Sequence, residues 1–509
     1  MIKVSDLYFQ FEGASTAALN NVTLKINDGE FTIITGPSGS GKSTLCLSMC
    51  GFIPHGYDGT FKGEVIVNSK NTKENSVFEL AEEIGIIQQD PESQICTLNV
   101  TDEVAFGPEN FLISEEETNK RIKWALKTVD ASHLSERKTS SLSGGEKQRL
   151  AIASVLALKP KILILDEPTS QLDPKGTARI FSIITDLQRQ NNMTIVVVEH
   201  KLHQVLPLSS RVIVMNSGEI VVDTPTSKLN SYSRMLKEIG VRLPARRVTK
   251  KPAHSMHRSG SACEVTDLYV NSPDGERILE DVSFNVRNGE VVGLMGDNGS
   301  GKTTLLLSLL GLWKSHSGDI SIHGRSAATM TLKERCRHFG LIFQNPNHQI
   351  FENTVLREVS FAPANFGEDE KHIESKALRL LDTLNLISYR DRHPFSLSYG
   401  EKRRLNLASV LIYEPSILLM DEPFVGQDFI NVQKLMRFIE DSAERGRSTI
   451  MVIHDPELAE MYCDRLIFLR HGKVIVNETT ETAFQKLAQL GEHAYTTEWR
   501  EVNGSKASG

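Results

Sequence analysis

Two short stretches, one in each half of the chain, combine the residue types that hold phosphates. The first reads Gly36-Pro37-Ser38-Gly39-Ser40-Gly41-Lys42-Ser43-Thr44 and the second Gly296-Asp297-Asn298-Gly299-Ser300-Gly301-Lys302-Thr303-Thr304. Both fit G-x-x-x-x-G-K-[ST], and each lies between an apolar run and a helical pattern, as a phosphate-binding loop requires. The glycines let backbone N–H groups turn inward around an anion. The lysine reaches terminal phosphates, the Ser43 or Thr303 hydroxyl binds magnesium, and the helix that follows points its positive end at the same charge.

Acids and amides suited to the same chemistry follow downstream. Asp166-Glu167 and Asp421-Glu422 each come after an apolar strand and before a proline. An Asp at a strand end can hold loop-bound magnesium, which assigns that role to Asp166 and Asp421. The adjacent Glu can polarise a water that attacks the terminal phosphate. Gln89 and Gln344 follow apolar runs, where a neutral amide can bind both magnesium and the attacking water. His200 and His454 end apolar strands of their own, where a neutral imidazole can donate to a phosphate. The glutamine and histidine roles rest on position, because a glutamine alone is uninformative and a lone strand-end histidine is more often structural. Leu142-Ser143-Gly144-Gly145-Glu146 and Leu397-Ser398-Tyr399-Gly400-Glu401 precede helices rich in Lys and Arg. Each reads as an ordinary helix N-cap and, with a ligand, as a second anion contact.

These residues need a scaffold, and the chain supplies it twice. The spacing is 260 residues from Lys42 to Lys302, 255 from Gln89 to Gln344, Ser143 to Ser398 and Glu167 to Glu422, and 254 from His200 to His454. A near-constant offset through the whole series means a tandem repeat. Apolar strands are expected at 31–35, 162–165 and 195–198, and again at 291–295, 417–420 and 450–453. Fully apolar strands separated by helices imply a parallel sheet covered on both faces. Closing hairpins are expected around Asn216-Ser217-Gly218 and Arg470-His471-Gly472. A helical insertion precedes the later strands, with apolar stripes at Ile122, Ala125, Leu126 and Val129, and at Ile373, Ala377, Leu380 and Leu384. Packing on its own domain is the expected use of each stripe.

Composition narrows the class. The chain has 509 residues, 24% charged and 39% hydrophobic, with a net charge of −7. That is ordinary globular composition with room for two cores, and it does not favour nucleic-acid binding. No stretch approaches 18 consecutive apolar residues, and the N-terminus lacks the apolar core of a secretory signal. Six cysteines (46, 50, 96, 263, 336 and 463) form no C-x-x-C or zinc spacing, and a reducing compartment fits them. Cys46 and Cys50, one helical turn apart, read as small buried residues rather than ligands. The expected domains are 1–240, a linker at 241–262, 263–495, and a frayed tail at 496–509. Pro244, Pro252 and the cluster Arg246, Arg247, Lys250, Lys251 and Arg258 mark the linker as a solvated connector, with contact to anionic lipid or acidic protein as the alternative.

The motif series as a whole resembles a tandem ATP-binding-cassette (ABC) ATPase over nearly all of the chain. The resemblance implies two tandem α/β P-loop NTPase domains of ABC type, each with a mostly parallel core sheet, an antiparallel β region and a helical insertion. It adds D-loops at Ser170-Gln171-Leu172-Asp173 and Val425-Gly426-Gln427-Asp428. It implies ATP and Mg2+ as cofactors, and catalytic roles for Glu167, Glu422, His200, His454, Gln89 and Gln344. Magnesium would fall to Ser43, Gln89, Asp166, Thr303, Gln344 and Asp421. It further implies a pseudo-dimer within the chain, each ATP lying between the phosphate loop of one half and the signature of the other: Ser398, Gly400 and Glu401 for the first loop, Ser143, Gly144, Gly145 and Glu146 for the second. Phe11 aligns with the aromatic that stacks on adenine in this family, but its counterpart is Ser272, with Tyr269 off register. Tyr399 replaces the middle glycine of the second signature. These departures leave open whether the two sites are equal.

One branch of the family is closer than others. Asp90-Pro91-Glu92-Ser93-Gln94 and Asn345-Pro346-Asn347-His348-Gln349 each lead to a Glu-Val pair and then to Ala-Phe-Gly-Pro or Ser-Phe-Ala-Pro. These segments resemble the ATPases of energy-coupling-factor and cobalt or nickel importers. That resemblance implies a transmembrane coupling subunit and a small membrane substrate-binding subunit as partners, no nucleic acid, and a peripheral place on the cytoplasmic face of a bacterial or archaeal cell membrane. A vitamin, a vitamin precursor or a transition-metal ion would be the cargo. The alternatives are a soluble tandem ATPase acting on ribosomes, disfavoured by the short proline-containing spacer, and a fused sugar-import ATPase, disfavoured by the intact second loop.

Overall fold

The computed structural model describes residues 1–170, 172–244 and 260–497. Most of the expected linker, Gln171 and all but two residues of the expected tail lie outside the described residues. The chain divides into an N-terminal and a C-terminal unit, and each repeats the same pair of sheets.

In the first unit, a six-stranded sheet runs in the order Glu219–Pro225, Arg211–Asn216, Phe31–Thr35, Thr194–Val198, Ile162–Asp166, Ile84–Ile87. All its pairings are parallel except the edge hairpin. The strands Phe31–Thr35, Ile162–Asp166 and Thr194–Val198 are buried at every position, which is why they read as continuous apolar runs rather than alternating ones. The edge hairpin forms where Asn216-Ser217-Gly218 was expected to turn. Ser217 and Gly218 both take positive φ (50° and 82°), the backbone a tight hairpin needs to match strand twist. Beside it lies an antiparallel sheet of Leu19–Ile26, Ile2–Phe11, Gly59–Val67 and Lys70–Asn71.

The second unit follows the same plan. Its larger sheet orders Phe339–Ile342, Ile417–Met420, Ser448–Val452, Val291–Gly296, Arg465–Arg470 and Lys473–Thr479, and His471 and Gly472 close the hairpin with φ of 46° and 76°. Its antiparallel sheet holds Arg277–Arg287, Ser261–Asn271, Ser317–Ile322 and Arg325–Ser326. The strand beginning at Ser261 takes up the last two positions expected for the linker.

Both helical insertions are present: Val100–Asn110 and Glu115–Thr128 in the first unit, Val355–Phe366 and Glu370–Thr383 in the second. Ile122, Ala125, Leu126 and Val129 all join the first unit's core. In the second unit Ile373, Ala377 and Leu381 are the buried positions, with Leu380 and Leu384 only half-buried beside them. Among the described residues no helix is long and apolar enough to cross a membrane.

Candidate functional site: duplicated phosphate loops

A parallel sheet sends the C-terminal ends of its strands to one edge, so loops far apart in sequence meet there. In the first unit this edge gathers Gly36 after Phe31–Thr35, Gln89 after Ile84–Ile87, Asp166 and Glu167 at the end of Ile162–Asp166, and His200 after Thr194–Val198. Gly36, Gly39 and Gly41 take φ of 151°, 76° and 97°, and the helix Lys42–Met49 starts at Gly41 without a side-chain cap. Its first N–H groups are therefore left to a ligand or solvent. Lys42 is buried, and its Nζ donates to Gly36 O at 3.0 Å and Pro37 O at 2.8 Å. The second unit reproduces this, with Lys302 Nζ 2.9 Å from Gly296 O and 2.8 Å from Asp297 O.

The acids sit directly behind the loops. Ser43 bonds the Asp166 carboxyl, and Thr303 Oγ1 donates to Asp421 Oδ2 at 2.8 Å. Burial pushes both aspartates up to about 6; the hydroxyl bonds work against that rise, while Glu167 and Glu422 add to it. Asp166 Oδ1 is buried with no hydrogen-bond partner. A hydroxyl and a carboxylate oxygen side by side, one of the acid's atoms unsatisfied, suit a hard, oxygen-seeking cation such as Mg2+.

Glu167 and Glu422 are each held at both oxygens. His200 Nε2 lies 3.0 Å from Glu167 Oε1, and Gln89 Nε2 donates to Oε2 at 2.9 Å. His454 Nε2 lies 2.9 Å from Glu422 Oε1, and Gln344 Nε2 donates to Oε2 at 2.9 Å. Burial raises the Glu167 carboxyl, but the His200 bond and the charges of His200 and Lys42 more than offset it, so the group stays below its ordinary range. Both glutamates take positive φ (49° and 46°), a strained backbone for a side chain of this size. Glu, His and Gln thus meet in two near-identical triangles.

Within each unit, the signature residues are engaged at their own helix start. Ser143 and Glu146 form a reciprocal capping box at Gly144–Leu156, as do Ser398 and Glu401 at Tyr399–Leu411. Ser143, Gly144 and Ser398 are exposed, Gly145 and Gly400 half-exposed, and a Cβ on Gly144 or Gly400 would meet nothing. Tyr399 turns back to its own unit, with Arg403 stacked on its ring at 5.3 Å. Phe11 ends the strand Ile2–Phe11, half-buried, its ring edge-on to Phe9 at 4.8 Å.

Two features escaped sequence reasoning. Glu103 and Glu358, from the Glu-Val pairs, are buried and accept backbone N–H bonds from Cys96 and Thr97, and from Phe351 and Glu352, at 2.8–3.0 Å. They brace the segment that follows each glutamine loop, a role that spacing alone does not reveal. Arg403 is buried and donates to Pro423 O and Gln344 O, each at 2.8 Å. Its counterpart at the 255-residue offset is Gln148, and that contrast was the available signal.

Comparison with known proteins gives the family. The family described as ABC transporter matches residues 19–170 and 279–425. A protein of Methanosarcina mazei named as an ABC transporter ATP-binding protein is 34% identical, over 94% of this chain and 88% of its own length. One of Vibrio parahaemolyticus, named likewise, is 35% identical over 97% of this chain and 92% of its own. Among solved structures, cbiO1 from Clostridium perfringens, described as part of the ABC transporter complex cbiONQ, is 33% identical, covering 48% of this chain and 95% of its own with a TM-score of 0.42. Two phosphate loops, each backed by its own acid pair, lie within the matched segments, and the chain belongs to the ABC transporter family as a tandem, ATP-hydrolysing ATP-binding protein.

Proposed function

We propose that this chain is the motor of an importer of the energy-coupling-factor type, hydrolysing ATP to drive uptake of a vitamin, a vitamin precursor or a transition-metal ion through separate membrane subunits. The observation that carries the hydrolytic part is the doubled Glu–His–Gln triangle at 2.9–3.0 Å. In each unit the histidine and the glutamine fix both oxygens of the glutamate, so the carboxylate is aimed before substrate arrives. Lys42 and Lys302 take up terminal phosphate charge. Ser43, Asp166 and Gln89, and Thr303, Asp421 and Gln344, would hold Mg2+, which when bound neutralises charge developing on the phosphates. Glu167 and Glu422 accept the proton of the attacking water. Phe11 would stack on adenine in the first site.

Following the family, each nucleotide would be completed by the signature of the opposite unit, the exposed Ser143 and Ser398 being available for this. The importer branch is supported by the paired segments after Gln89 and Gln344, and by apolar side chains they leave in solvent. Leu98 is 80% exposed and Phe351 60%, while Phe106 and Phe361, at equivalent positions, are 50% and 40% exposed. Apolar groups this exposed would suit contact with a hydrophobic partner segment. The motor would then work peripherally at the cytoplasmic face of a bacterial or archaeal membrane.

Lys42→Ala with Lys302→Ala tests the chemistry: ATP turnover should vanish, and persistence would refute the site. Purification from membranes in mild detergent tests the branch. A multi-span subunit and a small hydrophobic binder should accompany the chain; co-fractionation with ribosomes instead would overturn the importer reading.

A further inference from the structure

Glu199 is a buried carboxyl one residue before His200, with 3% of its surface exposed, and the chemistry above does not use it. Oε1 accepts the hydroxyl of Thr169, which is itself 1% exposed. Oε2 accepts the backbone N–H of His200 at 3.2 Å. Thr169 lies on the turn that leaves Glu167, whose carbonyl accepts the Ser170 N–H at 3.2 Å. One carboxyl therefore joins the turn carrying Glu167 to the turn carrying His200. The second unit fills the same two positions differently. At the offsets of its own motifs, Thr169 becomes Phe424 and Glu199 becomes Ile453. Ile453 is 2% exposed and Phe424 half-buried. Both partners have changed together, from a hydrogen-bonded polar pair to an apolar one. A lone exchange would leave a buried polar group unsatisfied, so the pair is a unit.

We propose that the Glu199–Thr169 clasp is a positioning pair that sets the Glu167–His200 geometry in the first unit alone and gives that site a response to proton concentration near neutrality that the apolar pair of the second unit does not supply. The inference rests on the reading of Glu167 as the group that activates water. The groups facing Glu199 are Glu167, on the turn beyond Thr169, and His200 and Lys201 on its own turn. Burial raises the Glu199 carboxyl to about 7; Thr169, Lys201 and His200 oppose the rise, and Glu167 adds to it. Below that pH the clasp is neutral beside the Glu167 charge. Above it, two buried carboxylates repel each other across the clasp.

The test uses the full chain carrying Glu422→Gln, so that turnover reports the first site. The parent should lose turnover as pH rises through about 7. Glu199→Gln keeps the shape and polar atoms of the side chain, and so reads the proton rather than the fold. It should match the parent below neutrality and show no step. Thr169→Val should lower kcat about tenfold with KM for ATP unchanged, as loss of aim rather than of binding. Thr169→Phe with Glu199→Ile, which installs the other unit's pair, should recover kcat to within about threefold and also lack the step. Superimposable pH profiles for Glu199→Gln and the parent, or an unchanged kcat in Thr169→Val, would overturn the clasp while leaving the site intact. Turnover that survives a further Lys42→Ala would overturn both the clasp and the reading beneath it.

Discussion

The first glycine of each phosphate loop gives the sharpest test of how the loop is shaped. A Cβ on Gly36 would lie 2.1 Å from Met215 O and 2.8 Å from Ser40 Oγ, at a φ of +151°. On Gly296 it would lie 2.2 Å from Leu469 O at +144°. Neither carbonyl can retreat, because Met215 and Leu469 sit in strands bonded to neighbours on both sides. For Gly36→Ala, backbone strain costs roughly 1–3 kcal/mol. Overpacking against a fixed carbonyl adds about 1–3 kcal/mol. For a unit of this size the total corresponds to a melting shift of roughly 5–20 °C. Gly13→Ala is the control: its φ is +75° and nothing lies within 4 Å of the new Cβ, so strain alone remains. Calorimetry should place Gly36→Ala well below Gly13→Ala, and equilibrium binding should show ATP affinity lost at that loop. If Gly36→Ala melted at or above Gly13→Ala and bound nucleotide as the parent does, the loop would not be held by this contact and the reasoning would fail.

Four further outcomes follow from the same geometry. Glu167→Gln and Glu422→Gln should each keep ATP binding while the site affected loses about 100-fold or more in turnover; equal losses of total turnover in the two single variants would argue that the sites are equivalent. Without magnesium or nucleotide, Asp421 keeps in the folded state, up to about 6, a proton that the unfolded chain releases near 3.8. Its contribution to stability is therefore full below the lower value and is lost as pH rises through the upper one, by at most about 3 kcal/mol; Asp421→Asn should abolish that difference in denaturant titrations run across the window. Glu358→Ala should strip two backbone N–H groups of their acceptor and destabilise the second unit by about 2–4 kcal/mol, seen as a lower urea midpoint. Tyr495→Phe removes only the hydroxyl that donates to Asp297 Oδ1 at 2.6 Å, and should cost about 1 kcal/mol while leaving the ring packed on Phe468.

Strands buried on both faces announced themselves as apolar runs, and the hairpins by Asn-Ser-Gly and Arg-His-Gly, because burial and turn geometry constrain residue type locally. The Glu–His–Gln triangles were not local in that sense. Gln89 and Glu167 are 78 residues apart, and nothing in the spacing says that their strands are neighbours. Family resemblance supplied that, and the parallel pairing of Ile84–Ile87 with Ile162–Asp166 explains it. The second insertion stripe was read as Ile373, Ala377, Leu380 and Leu384, yet Leu381 is the buried residue. Adjacent leucines satisfy a helical period equally well, and only the neighbouring helices decide between them. Glu103 and Glu358 entered the sequence reading only as members of Glu-Val pairs, because a buried carboxylate leaves no mark on periodicity; their partners are backbone N–H groups, which sequence does not vary.

The repeat separates what the chemistry fixes from what the fold leaves free. Residues that would touch phosphate, metal or water keep their type in both units: Lys42 and Lys302, Ser43 and Thr303, Gln89 and Gln344, Asp166 and Asp421, Glu167 and Glu422, His200 and His454. One layer behind them, the solutions diverge. Thr169 and Glu199 give way to Phe424 and Ile453, and Gln148 to Arg403; within the loop itself Pro37 becomes Asp297, which Tyr495 caps. Distances of 2.9–3.0 Å in both triangles survive these exchanges. A carboxylate can be aimed equally well by a polar support or by an apolar one, provided the support is internally satisfied. The two kinds of support differ in their response to conditions. A polar support containing a buried acid responds to pH, and an apolar one does not. Two cassettes with one geometry and different backing would therefore share their chemistry while differing in the support behind it, and the Glu199 variants test whether that support sets a pH dependence of the first alone.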